Sequence, residues 1–246
     1  MKTYFDIHLC PLLRDLTSTE RLIRKSSELG YSALGITFTP AVDRREIEQI
    51  GAICDAAKIR YVTRVDLRPR TVRELLEYLR RVRRRFVIVA VQCYSEAVAR
   101  QAAKDKRVDL LSFPFNGSGK CFFDRAEAEL ASSAGASLEI DMSQILSTSG
   151  LQRSILLMKL RREVFYAKKF NVPIVLASGT SNVNLLRKPE DYASLAFLFG
   201  LSWHDAIKAL SSNPQTIVER NARKLGPNYV APGVYIIKRG EDCRGK

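Results

Sequence analysis

Apolar positions along this chain switch repeatedly between two periods. Short β-rich runs of about five residues alternate with longer stretches of helical spacing, and each pair fills roughly 25 to 35 residues. The first strand is read at residues 4–8; its helix opens at the cap candidates Thr17 and Ser18, carries Leu22, Ile23, Ser26 and Leu29 inward, and stops at Gly30. Strands follow at 33–38, 61–65, 86–91, 109–113, 137–141 and 173–177. The run at 86–91 is almost wholly apolar, as expected of a strand covered on both faces. Thr71-Val72-Arg73-Glu74 has the capping-box pattern. The longest helix is expected over 151–170, with Ile155, Leu156, Leu160, Val164 and Ala167 as its buried stripe. Two more helices are expected at 202–210 and 214–224, after a helix start at Pro189-Glu190-Asp191.

Seven strand–helix units in regular succession predict an α/β, TIM-barrel-like closed parallel barrel with extra C-terminal helices. A doubly wound sheet is the alternative, disfavoured because no GxGxxG follows a strand. No linker divides the chain, so residues 1–226 are read as one barrel domain. Residues 227–246, with Tyr235-Ile236-Ile237 beside Pro232 and Gly233, are read as a tail packed on the barrel or partly flexible.

Charge changes the picture most. The 246 residues hold 40 Lys and Arg against 26 Asp and Glu, a net charge of +14, which raises attraction to phosphate backbones. Eight arginines lie between positions 68 and 85. Arg73, Arg80 and Arg81 have Glu74 and Glu77 within helical reach, whereas Arg83, Arg84 and Arg85 have no local acid and precede the fourth strand, at the opposite barrel end from Arg68. Arg70, Arg107, Arg153, Arg161, Arg187 and Lys188 add candidate phosphate contacts, with Lys159, Arg162, Lys168 and Lys169 along the long helix and Arg220, Arg223 and Lys224 in the last one. Asn116-Gly117-Ser118-Gly119-Lys120 resembles a phosphate nest without Walker spacing, so Lys120 joins the RNA-contact candidates and a nucleotide P-loop is excluded. Such scattered clusters suit a body seated in folded RNA better than a small-ligand pocket. Five cysteines without a CxxC pair predict reduced thiols. The chain opens without a secretion-signal pattern, and no apolar run approaches the roughly 18 residues that span a bilayer, so a cytoplasmic protein without membrane contact is expected.

Functional groups of such a barrel gather at the C-terminal strand ends. Only Asp6, His8, Glu139 and Asp141 there resemble a metal site, and with His204 the sole other histidine the set is short of nitrogen ligands; polar residues satisfying one another are the preferred reading. Ser178 in Ala-Ser-Gly-Thr-Ser is not a nucleophile elbow.

Phe5-Asp6-Ile7-His8, residues 30–36, Leu138-Glu139-Ile140, Leu176-Ala177-Ser178-Gly179 and the late series Leu186-Arg187-Lys188-Pro189-Glu190-Asp191, Phe199-Gly200-Leu201, Ser212-Asn213-Pro214 and Glu219-Arg220-Asn221 stand in an order and spacing that resembles archaeal ribonuclease P protein component 3, a family related to the eukaryotic 30-kDa subunit. The resemblance covers nearly the whole chain. It implies a TIM-like barrel akin to metal-dependent phosphoesterases of the polymerase-and-histidinol-phosphatase type, whose HxH motif is matched here by Asp6-Ile7-His8, with the later histidine ligands missing. It further implies a non-catalytic subunit of the endonuclease ribonuclease P, in which the RNA removes the 5′-leader of precursor tRNA using Mg2+ and the protein binds no cofactor. The implied partners are the catalytic domain of that RNA and a small α/β protein subunit, joined as a heterodimer or heterotetramer. A metal-dependent phosphoesterase is the alternative.

Overall fold

Seven short strands, each followed by at least one helix, make up the body of the computed structural model, which describes residues 3–117, 122–231 and 234–237. The order is β1 (Tyr4–Leu9), α1 (Leu16–Glu28), β2 (Tyr31–Phe38), α2 (Arg44–Ala56), β3 (Arg60–Leu67), α3 (Val72–Val82), β4 (Ile88–Gln92), α4 (Glu96–Lys104), β5 (Leu110–Ser112), α5 (Arg125–Ala134), β6 (Ser137–Asp141), α6 (Met142–Ser147), α7 (Gly150–Lys169), β7 (Ile174–Ala177), α8 (Pro189–Ala196), α9 (Trp203–Leu210) and α10 (Ser212–Leu225). The strands pair in parallel in sequence order from β1 to β7. Closure is not by strand pairing proper. The chain just past β7 meets β1 through Gly179 N to His8 O at 2.9 Å and Cys10 N to Thr180 O at 3.0 Å, so the barrel is nearly rather than fully closed.

Local sequence explains most boundaries. Asp15, not Thr17 or Ser18, caps α1: its carboxylate accepts from Ser18 N at 3.0 Å, and the helix starts one residue later. Thr71 caps α3 as expected, but Glu74 reaches back to Arg70 N at 2.7 Å instead of to its cap residue. The short α6 was not visible in the sequence, where its six residues carry no periodicity. The stretch around Tyr235 is not an eighth barrel strand; β8 (Tyr229–Ala231) and β9 (Val234–Tyr235) form a separate antiparallel hairpin beside α10, and residues 238–246 lie outside the described residues.

Two apolar layers hold the molecule. One lies between the strands and the surrounding helices. The other fills the barrel: Phe5, Ile7, Val62, Ile88, Ala90, Leu110 and Val175 point inward and are sealed from the N-terminal end by Ile217 and Val218 of α10. Gly35 lets β2 approach β1, since a Cβ there would lie 2.3 Å from Ile7 O. Lys159 is not surface charge: it is buried under α7, donates to Phe113 O at the end of β5 and pairs with Glu163 at 3.3 Å. Among the described residues no helix is long and apolar enough to cross a membrane.

A candidate nucleic-acid interface and the barrel mouth

The N-terminal end of the barrel gathers basic residues that the sequence scatters over 140 positions. Arg83 closes α3 and Arg107 precedes β5, while Arg220 and Lys224 lie on α10, the helix that plugs this end. Asp109 organises them. Its buried carboxylate takes Arg83 Nη1 at 2.6 Å, Arg220 Nη2 at 2.9 Å and Val89 N at 2.9 Å. Arg83 also reaches Arg107 O at 3.3 Å, and Arg220 reaches Gly135 O at 3.0 Å. Arg83 therefore has an acidic partner after all, supplied from the entrance of β5 rather than by its own helix. Burial, with Arg220 and Arg83 alongside, pulls the Lys224 pKa down, the mark of like charges crowded together. Arg84, Lys106 and Arg223 are exposed around them.

The other candidate cations are dispersed. Arg85 is fixed by Pro40 O at 2.8 Å and Val42 O at 2.9 Å. Arg107 forks onto Asp105 at 2.9 and 2.6 Å. Arg153 donates to Thr148 O, Arg161 to Leu198 O and Arg187 to Asn184 O and Leu186 O, so each is posed by a loop carbonyl. Lys188 is exposed at the start of α8, and Arg70 is exposed before α3. Arg68 stands at the opposite end, on a cleft of about 590 Å³ that also includes Cys10, Leu13, Arg14, Phe38 and Asp66. Lys120 lies outside the described residues.

At the C-terminal strand ends, His8, Glu139 and Asp141 meet, as their positions implied, and their donor atoms lie within 4.8 Å of one another. Asp6 does not join them. Its Oδ1 accepts from Ser178 N at 2.9 Å and His8 N at 3.3 Å, clasping β1 to the chain after β7, while Oδ2 is buried without a partner and burial pushes the carboxyl pKa up. The residue that sequence reasoning missed is Arg64. Fully buried in β3, it sends Nη1 and Nη2 to the two oxygens of Glu139 at 2.5 and 2.6 Å, Nε to Asp66 at 2.6 Å, and Nη1 also to Ile7 O at 2.8 Å. A charged residue two positions before Asp66 inside an apolar strand was the available signal.

His8 is held between carboxylates, Nδ1 2.6 Å from Asp141 and Nε2 3.0 Å from Asp66. Burial and Arg64 act to lower its pKa, but Asp141 and Asp66 outweigh them and the imidazole titrates well above its ordinary value. Burial likewise opposes ionisation of Asp66, yet Arg64 and His8 hold it far below the usual carboxylate range. Two cations thus face three carboxylates. Gly179, at φ +61°, makes room for one of them, because a Cβ there would lie 2.6 Å from Asp141 Cγ. This arrangement does not fit a divalent metal: both nitrogens of His8 and both oxygens of Glu139 are already engaged by protein groups, leaving no free lone pair on the imidazolium.

Comparison with known proteins accords with this geometry. A 29% identical relative, ribonuclease P protein component 3 of Methanosarcina mazei, aligns over 97% of this chain and 96% of its own length. An archaeal ribonuclease P structure with mature tRNA contains a chain that superposes with TM-score 0.82 at 22% identity, covering 96% of this chain and 99% of that one. A Bifidobacterium longum protein described as a putative prolidase shares only the fold, with TM-score 0.60 at 10% identity over 90% of this chain and 70% of its own. The model of the RNase P subunit p30 family matches residues 3–225, and the chain belongs to that family.

Proposed function

We propose that this chain is a non-catalytic ribonuclease P subunit that binds the catalytic RNA through the N-terminal end of its barrel, in the cytoplasm and with a small α/β protein subunit as its partner in a heterodimer or heterotetramer. The observation that carries this reading is the convergence of Arg83, Arg220 and Lys224 on one face around the buried acid Asp109. Arg83 and Arg220 fix the local backbone, and the exposed Arg84, Lys106, Arg223 and Lys224 are left to meet phosphates. Cations gathered on one face offset the repulsion between RNA helices brought close together. Sequence-specific base reading is not expected from contacts to phosphate. The chain itself would hold no cofactor, with Mg2+ serving the RNA.

Titration with ribonuclease P RNA over a range of salt concentrations tests the reading. Replacing Arg84, Lys106, Arg223 and Lys224 by Ala should weaken binding and reduce the slope of log K against log salt by roughly one for each phosphate that is no longer neutralised. An unchanged slope in the folded variant would place the RNA elsewhere on the molecule.

A further inference from the structure

The barrel mouth has the makings of a cation site and no space for the cation. Four side chains that commonly ligate divalent metals, His8, Asp66, Glu139 and Asp141, converge at the C-terminal strand ends with their side chains almost wholly buried. Carboxylate and imidazole in such a set suit Zn2+ or Mn2+. Buried carboxylates without positive charge nearby are strongly disfavoured, so something must balance them.

We propose that the mouth is a masked divalent-cation site in which the Arg64 guanidinium is the permanent cation. Three features point there. The guanidinium lies 2.5 to 2.6 Å from both oxygens of Glu139 and one oxygen of Asp66, the atoms a metal would need. Its remaining hydrogen bond, to Ile7 O at 2.8 Å, ties it to β1, the strand that carries His8. It is also among the largest fully buried side chains of the molecule, so solvent does not compete for these contacts. A divalent ion on the same carboxylate oxygens would sit against the guanidinium with like charge, in a region that screens poorly. Metal and Arg64 therefore exclude each other. Shortening Arg64 frees both oxygens of Glu139 and Oδ1 of Asp66 around a cavity of guanidinium size, and these carboxylates, with Asp141 beside them, are a ligand set for one divalent ion while His8 keeps its partners Asp141 and Asp66.

Masking of this kind goes beyond the RNA-binding reading and needs no RNA to test. The full chain, stripped with chelator, is dialysed against Zn2+ or Mn2+, and bound metal per chain is measured alongside the metal-induced change in Tm. The wild type and Arg64→Lys should show no ion whose binding depends on Glu139. Arg64→Ala should bind one ion per chain with a rise in Tm, and Arg64→Ala/Glu139→Gln should lose both. Where Arg64→Ala needs metal to fold, recovery of its native near-UV circular dichroism on adding Zn2+ is the expected result. A wild-type chain that binds one ion, lost in Glu139→Gln, overturns the proposal. So does an Arg64→Ala chain that folds and binds none, or that stays unfolded with metal present.

Discussion

Asp109 illustrates how much a single residue decides here. Removing its carboxylate leaves Arg83 and Arg220 without their shared partner and Val89 N without an acceptor. Asp109→Ala should therefore cost on the order of 3 kcal/mol in urea unfolding, against about 0.5 kcal/mol or less for the exposed Arg84→Ala; equal costs would mean the cluster is not anchored as described. His8 offers a second check at this scale. With Asp141 and Asp66 on its two nitrogens its ring should titrate well above the ordinary 6.5, and an NMR titration midpoint near 6.5 would contradict the ion cluster. Glu127 titrates in the same direction for a different reason. Burial, with Asp124 beside it, pushes its pKa up to about 8. Because the folded value exceeds the unfolded one, the stability due to the protonated form is complete below about pH 4.3 and is lost as pH rises through 8. Glu127→Gln should match the wild type near pH 4 and exceed its Tm progressively towards pH 9; a Tm difference that stays flat with pH would refute the raised pKa. The Asp109 pairings could not be read from sequence, since Asp109 lies 26 residues from Arg83 and 111 from Arg220.

Elements were far more legible than contacts. The alternation of short apolar runs and helical stripes places all seven barrel strands, and β6 begins and ends where the sequence pattern does. The inward stripe of α7 is also as expected for Leu156, Leu160, Val164 and Ala167. What periodicity misses are interruptions of it: the six-residue α6, the Asp15 cap, and the inward turn of Lys159, whose long stem crosses from a basic-looking helix to a strand-end carbonyl. Tight closure between β1 and β7 rests on Gly179, which follows β7. Gly179→Ala must adopt φ near +61° and also push Asp141 aside, and it should lower stability by about 2 to 3 kcal/mol. Gly150→Ala has a similar positive φ but nothing within 4 Å of the new Cβ, so it should cost only about 1 kcal/mol. Equal losses of Tm in the two variants would remove the steric argument at the closure.

Across the whole molecule, the two barrel ends divide their tasks. The acidic charge of the C-terminal end, where barrels of this architecture carry functional groups, is offset from within by Arg64 and His8, whereas the N-terminal end is plugged by α10 and crowded with positive charge. Sequence order puts the backbone of Arg83, Arg84 and Arg85 at the end where β4 begins, opposite Arg68. The Arg85 side chain, however, reaches back to Pro40 O and Val42 O in the loop leaving β2, whose Pro40 lines the cleft of Arg68. Sequence order could not show that α10 would return over 100 residues later to the end where β4 begins, nor that Arg64 would cross the barrel to Glu139. The central claim, that the protein assists a catalytic RNA through its basic N-terminal end, is tested most directly by precursor-tRNA cleavage with ribonuclease P RNA and the small protein partner at limiting Mg2+. Wild-type chain should raise the cleavage rate, and the variant lacking Arg84, Lys106, Arg223 and Lys224 should lose most of that gain while remaining folded. Stimulation by the variant equal to that of the wild type, or leader removal by the chain without RNA, would contradict it.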